Sequence, residues 1–237
     1  MKKLSVIIPA YNEEKHIGLL LQKVLRVDTE SIGFEKEIIV VDDGSKDKTA
    51  SVVENFKGSV KLIQQKNQGK GSAVQRGIKE SKGDYILVQD ADLEYDPEDY
   101  IPMLKTLTED GNTAAYGSRV LGNKKAYGST RHPQQSFGPW LANFILTLWT
   151  FLLYGKWITD TLTAYKIYPS RVFRVFNIKT KGFETDHEIT SKLIKDKIRI
   201  VEVPISYYPR SIQEGKKIKA SDGFIAILTL LRFRFLN

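Results

Sequence analysis

Three carboxylates alternate in Asp90-Ala91-Asp92-Leu93-Glu94. At a spacing of two in an extended segment their side chains point the same way. Three oxygen donors on one face suit a hard divalent cation such as Mg2+ or Mn2+. The same residues also suit an acidic turn before a helix starting near Pro97, because Asp is common at helix starts. The surrounding elements therefore decide their meaning. A second acidic stretch, Asp42-Asp43-Gly44-Ser45-Lys46-Asp47, holds two adjacent carboxylates, with Ser45 and Asp47 placed to cap a following helix. Brought close to Asp90 and Asp92, this pair would repel them unless a cation or a hydrogen-bonding ligand lay between. A nucleotide with its metal ion supplies both.

The elements that must position these groups form a series of βα units. Residues 4–8 read as a strand, and residues 13–25 follow with Ile17, Leu20, Leu21, Val24 and Leu25 at helical spacing. The pattern recurs as 37–41 then 47–56, as 60–64 then 71–81, and as 85–88 then 97–107, with a fifth strand at 113–116. Repeated βα units predict an α/β fold with a mainly parallel sheet covered by helices on both faces. One domain spanning residues 1–237 is expected. In such sheets ligands sit outside the carboxyl ends of the strands. Those ends are polar here: Pro9-Ala10-Tyr11-Asn12-Glu13, Asp42-Asp43-Gly44-Ser45, Gln89-Asp90-Ala91-Asp92 and Gly117-Ser118-Arg119. Residues 120–139, rich in Gly, Lys, Ser and Pro, read as a long mobile loop. An apolar helix (140–154), a strand (164–168), a helix (186–195), a strand (199–203), a basic loop (210–219) and an apolar segment (224–231) follow.

Thirty-six Lys and Arg against 28 Asp and Glu give a net charge of +8, so the surface attracts polyanions or phosphorylated substrates. The chain has no cysteine, which excludes disulfides, thiolate zinc sites and a catalytic thiol and agrees with a cytoplasmic setting. The first residues lack the apolar core of a signal peptide. Residues 140–154 fall short of the ~20 that span a bilayer, so this segment is expected to lie on a membrane or in a core rather than to cross.

Val6-Ile7-Ile8-Pro9-Ala10-Tyr11-Asn12-Glu13, Val40-Val41-Asp42-Asp43-Gly44-Ser45 and Asp90-Ala91-Asp92, in that order, resemble the three successive signatures of family 2 glycosyltransferases. The resemblance covers residues 4–219. It implies the GT-A fold, with a Rossmann-like nucleotide half at 1–119, an acceptor half at 120–219 and an apolar, basic tail at 220–237. It also implies inverting, metal-dependent transfer of a sugar from UDP or GDP. Gly117-Ser118-Arg119, and Val203-Pro204-Ile205-Ser206-Tyr207-Tyr208-Pro209-Arg210 followed by Lys216, are most similar to the polyprenyl-phosphate glycosyltransferases within that family. By this resemblance Pro9, Tyr11, Glu13, Val40, Asp42, Asp90 and Ala91 contact the nucleotide sugar. Asp90, Asp92 and Glu94 hold Mg2+ or Mn2+, and Arg119, Arg210 and Lys216 contact donor or acceptor phosphates. Asp92 and Arg119 carry the catalysis. Two positions depart from the subfamily pattern: Glu94 stands where Gln is frequent, and Thr163-Ala164-Tyr165 replaces a turn often closed by Gly-Phe.

A lipid phosphate acceptor is already anionic and needs no strong base, only in-line positioning and charge neutralisation, which arginine and lysine provide. The apolar segments with aromatic and basic flanks fit an interfacial role at the cytoplasmic face of a membrane, where a polyprenyl substrate resides. The alternative is a soluble family 2 enzyme that extends a saccharide, which would need a carboxylate base. Asp160, Glu184, Asp186 and Glu188 are available for that role without being assigned to it. No nucleic-acid-binding motif is found. Gly69-Lys70-Gly71-Ser72 resembles part of a P-loop, but Gln64 stands where its first glycine belongs. His16, His132 and His187 are too scattered for a metal triad.

Overall fold

Long runs of β-branched residues bounded by polar turns set the centre of the fold. The structure, a computed structural model, describes residues 1–209 and 220–236. Strands β1 (Lys2–Ala10), β2 (Phe34–Asp42), β3 (Lys61–Gln64), β4 (Tyr85–Val88), β5 (Thr113–Ser118), β6 (Lys166–Pro169) and β7 (Arg199–Pro204) form a seven-stranded sheet in the order β3-β2-β1-β4-β6-β5-β7. Both faces are buried, so both parities of each strand are apolar. Val6, Ile8, Ile38 and Val40 pack on one face, whereas Ile39 and Val41 pack with Ala73 on the other.

The helices are α1 (Ile17–Arg26), α2 (Thr49–Glu54), α3 (Lys70–Glu80), α4 (Tyr100–Leu104), α5 (Arg119–Tyr127), α6 (Phe137–Tyr154), α7 (Thr185–Lys195) and α8 (Ala220–Phe235). Helix α1 buries Ile17, Leu20, Leu21 and Val24, a stripe at i, i+3, i+4 and i+7. Each such side chain contributes about 1.5–3 kcal/mol by leaving water. Helix α3 covers the opposite face and approaches β1 closely. A Cβ at Gly77 would lie 2.4 Å from Ile7 Cγ2.

Strands β1 to β4 are mutually parallel, and β1 lies between β2 and β4, so the chain order reverses at β1 and β4. A crevice at the carboxyl ends follows from that reversal. Strand β6 runs antiparallel to both neighbours, and its first residue, Lys166, pairs with Val88 and with Tyr116. The chain therefore enters β6 at the edge where β4 and β5 end. This one antiparallel strand delivers residues 159–166 to the functional edge.

Two expectations need correction. Residues 120–127, read as the start of a mobile loop, belong to α5. Ser118 Oγ accepts a hydrogen bond from the Leu121 amide at 3.1 Å and so caps it. Gly122, which looked like a loop glycine, is a packing requirement, because a Cβ there would sit 1.9 Å from the Ile205 carbonyl oxygen. The basic segment 210–219 lies outside the described residues.

Helix α6 is inverted relative to an ordinary surface helix. Asn143, Thr147 and Thr150 are buried along with Leu146, while Phe144, Ile145, Leu148 and Leu152 face outward. Asn143 Nδ2 donates to the Thr159 carbonyl at 2.8 Å. Thr147 donates to the same oxygen at 3.3 Å. Helix α8 packs beside it through Ala226 and Leu230 and leaves Phe224, Ile225 and Leu228 outward.

Two predictions follow from this packing. Gly77→Val forces α3 away from β1 and should cost about 1–3 kcal/mol, read as a melting temperature lowered by several degrees. His187 on α7 is 4% exposed, and burial, reinforced by Lys166, pushes its imidazole down to about 3. The unfolded chain, with an ordinary value of about 6.5, binds that proton more readily. Stability is thus full above pH ~6.5 and falls as pH drops toward 3, by on the order of a few kcal/mol. In urea melts between pH 7 and 5, His187→Gln should flatten this slope.

Candidate active site

The loops after β1 and β2 are sewn together by short polar side chains. Asn12, at a left-handed φ of 53°, accepts from the Lys46 amide at 2.8 Å, and its own N–H donates to Ser45 Oγ at 2.9 Å. The Glu13 amide donates to Thr49 Oγ1 at 2.8 Å, and the buried Glu13 carboxylate meets His16 Nδ1 at 3.0 Å. Asp47, expected to cap the next helix, lies one residue before the N-cap position, which Lys48 occupies, and its Oδ1 accepts from the Thr49 amide at 3.0 Å.

Asp42, 2% exposed at the end of β2, accepts from the Ser45 amide at 3.0 Å. Asp43 turns to a different set of donors: Gln65 Nε2 at 2.7 Å, the Gln68 amide at 3.0 Å and the Gly69 amide at 2.8 Å. The two adjacent carboxylates are thus separated and hydrogen-bonded by the chain itself. Their proximity requires no ligand. Val40 is fully buried in the core, and Ala91 is 4% exposed. Pro9 and Tyr11, both half-buried, stand at the end of β1.

The alternating carboxylates engage different partners. Residues 90–94 form a turn in which Leu93 takes a left-handed φ of 63°, which breaks the two-residue alternation. Asp90 Oδ1 lies 2.6 Å from Lys70 Nζ. Asp92 Oδ1 accepts from the Glu94 amide at 3.1 Å. Glu94, 9% exposed, takes a hydrogen bond of 3.2 Å from the Tyr207 hydroxyl. Among the described residues no three His, Asp or Glu side chains converge as a metal cage. Asp90 and Asp92 are partly exposed, and their hard oxygens suit a divalent ion that takes its remaining ligands from phosphate and water. Glu94 Oε2 is the acceptor that faces Tyr207.

Lys70 was legible only as part of a P-loop-like fragment. It opens α3, where the helix dipole disfavours a cation; a lysine immediately after a helix-starting glycine was the available signal. Burial pushes its ammonium down, but Asp90, Asp186 and Asp92 together hold it above the ordinary lysine value. Lys166 is a second cation the sequence reading passed over, a lone charge in a strand otherwise read as apolar. It is fully buried, donates to the Thr161 carbonyl at 3.4 Å and lies 4.9 Å from the Tyr116 ring centroid. Burial pushes its ammonium down, against the fields of Asp186 and Asp160.

Arg119, expected to meet phosphate, is engaged by the chain itself. Its Nε and Nη2 donate to Asp160 Oδ2 and Oδ1, each at 2.7 Å, and its backbone amide donates to Oδ2 at 2.9 Å. The guanidinium also stacks over Tyr207, 5.0 Å from the ring centroid. Glu202 on β7 holds the loop carrying Asp160, accepting from the Thr159 and Asp160 amides and from Thr159 Oγ1. Glu188 is likewise structural, since it is fully buried and binds the Lys179 and Thr180 amides and Lys192 Nζ. Arg210 and Lys216 lie outside the described residues.

Alternating charges thus line the carboxyl edge: Asp90, Lys70, Asp186, Lys166, Asp160 and Arg119. Such an edge orders anions and cations together. The profile of glycosyl transferase family 2 matches residues 5–176. The dolichol-phosphate mannosyltransferase of Pyrococcus furiosus is 35% identical over 219 residues, covering 90% of this chain and 59% of that protein, so this chain spans less than two thirds of that relative. The dolichyl-phosphate beta-glucosyltransferase of Homo sapiens is 28% identical over 258 aligned residues, covering 100% of this chain and 76% of that one. Glucosyl-3-phosphoglycerate synthase from Mycobacterium tuberculosis, solved with UDP, superposes with a TM-score of 0.74 at 16% identity and covers 100% of this chain and 81% of that one. A further structure of that synthase, solved with Mn2+, UDP and phosphoglyceric acid, superposes with a TM-score of 0.72. With the GT-A fold and a profile match over most of its length, the chain belongs to family 2 of the glycosyl transferases.

Proposed function

We propose that this chain transfers a hexose from a UDP- or GDP-sugar to the phosphate of a polyprenyl phosphate, with inversion at the anomeric carbon, at the cytoplasmic face of a membrane. The observation that carries the acceptor side of this reading is the inverted helix α6. Its 18 residues and mean hydropathy of 1.3 meet the length and composition of a membrane span. Its polar side, however, is packed against the domain through Asn143 and Thr147, so a surface-lying helix with lipid on one side fits better than a crossing one. Phe144, Ile145, Leu148 and Leu152 are exposed on α6, and Phe224, Ile225 and Leu228 are exposed on α8, which packs beside it; exposed apolar residues in such number mark membrane or partner contact. The relatives named for dolichol-phosphate and dolichyl-phosphate transfer agree with this choice.

On the donor side, Asp42 and Glu13 at the ends of β2 and β1 are buried, pre-oriented acceptors for nucleoside hydroxyl or imino groups, with Pro9 and Tyr11 beside them. Asp90 and Asp92 are the residues that would hold Mg2+ or Mn2+, which when bound stabilises the departing diphosphate as a Lewis acid. The acceptor phosphate carries its own nucleophilic oxygen, so no carboxylate base is required. Asp160 is accordingly committed to Arg119 rather than placed as a base. Arg119 holds the edge of the acceptor side in position, and Arg210 and Lys216 are the proposed phosphate-binding groups. Lys166 lies fully buried behind this edge.

In a radiolabelled assay with UDP-glucose or GDP-mannose and dolichyl or undecaprenyl phosphate, label should move into the organic phase. Label appearing only in aqueous saccharide would refute the lipid acceptor. The double variant Leu148→Glu with Leu228→Glu should keep its melting temperature, because both positions face outward, yet lose most of its flotation with anionic lipid vesicles. Unchanged flotation would separate the apolar surface from membrane binding.

A further inference from the structure

Lys70 occupies a position that packing does not account for. It starts α3, its side chain is 17% exposed, and its Nζ lies 2.6 Å from Asp90 Oδ1. Asp186 and Asp92 add their fields, and the Phe183 ring centroid is 5.6 Å away. The local backbone is fixed independently of this side chain. The Gly69 amide donates to Asp43 Oδ2 at 2.8 Å, and the Ser72 amide donates to the Lys181 carbonyl at 3.1 Å. The ammonium is therefore held for its charge, on the oxygen where a cation bound by Asp90 would sit.

A divalent ion and an ammonium cannot share that oxygen, since like charges a few ångströms apart in a partly buried site repel strongly. We propose that Lys70 is a built-in counter-cation for Asp90, displaced only when a divalent ion arrives together with a nucleotide diphosphate, so that ion binding depends on the diphosphate. The diphosphate supplies a new anionic partner for the released ammonium. Without it, the ion must break the pair with nothing offered in exchange. The lysine stays protonated throughout and exchanges only its partner. By reciprocity, the ion strengthens diphosphate binding by the same factor. Empty carboxylates would thereby be kept from collecting stray divalent ions.

This inference rests on the reading of Asp90 and Asp92 as metal ligands, and the test separates the two. Mn2+ is titrated into the full chain with and without UDP or GDP, and free Mn2+ is followed by electron paramagnetic resonance, for wild type, Lys70→Met, Lys70→Arg and Asp90→Asn. Without nucleotide, Lys70→Met should bind Mn2+ about tenfold more tightly than wild type, and the strengthening by nucleotide should shrink. Lys70→Arg should behave as wild type, and Asp90→Asn should lose the site. Should Lys70→Met fail to fold by circular dichroism, Lys70→Gln, which removes the charge but keeps a donor, serves in its place. Equal nucleotide-free Mn2+ affinity in wild type and the neutral variant overturns the role of Lys70 while leaving the metal reading intact. Mn2+ binding that is indifferent to Asp90, with and without nucleotide, overturns both.

Discussion

The ion pair between Arg119 and Asp160 joins parts of the chain that would otherwise have no reason to meet. Arg119 begins the helix after β5, and Asp160 lies on the loop before the antiparallel β6. A buried ion pair survives only if its geometry and remaining hydrogen bonds are good, because desolvating two charges costs several kcal/mol per ion. Here the carboxylate accepts from both arms of the guanidinium and from a backbone amide. Its loop is gripped by Glu202 from β7 and by Asn143 from α6. Tyr207 then stacks on the guanidinium and reaches Glu94 with its hydroxyl. Through this chain of contacts the pair also orients the turn that carries Asp90 and Asp92.

A second physical theme is local neutrality at the carboxyl edge of the sheet. Aspartates and lysines from the turn after β4 and from α3, β6 and α7 are interleaved. A site built to receive both a polyanion and a cation faces opposite requirements in its empty and filled states. Interleaved charges satisfy the empty state internally and leave pairs that can be exchanged for ligand. The same arrangement keeps Lys166 buried inside the sheet, where Tyr116 and the Thr161 carbonyl receive it.

The sheet was largely legible because its strands are buried on both faces and read as unbroken apolar runs, while the polar strand ends marked the functional edge. Asp42, Asp90 and Asp92 were expected at that edge, and the structure has them there. What could not be read were features fixed by distant contacts. Leu93 takes a left-handed conformation that no local propensity demands, and it interrupts the extended geometry expected for the three evenly spaced carboxylates. Gly122 signalled a loop but exists to admit Ile205 against α5. Arg119 carried the right charge for phosphate, yet its partner Asp160 lies far along the chain. Pairing of that kind is set by topology, here by the reversed direction of β6.

Helix α6 holds the Thr159 carbonyl with two side chains, and the residue after Thr159 is the carboxylate that grips Arg119. On the proposed membrane surface this makes the helix a depth gauge. The level at which its outer side floats among the acyl chains fixes how far the reaction centre stands above the headgroups. A lipid phosphate has a nearly constant height in a bilayer, so a rigid float of this kind would bring it to the catalytic edge by altitude alone, without a receptor for the hydrocarbon tail.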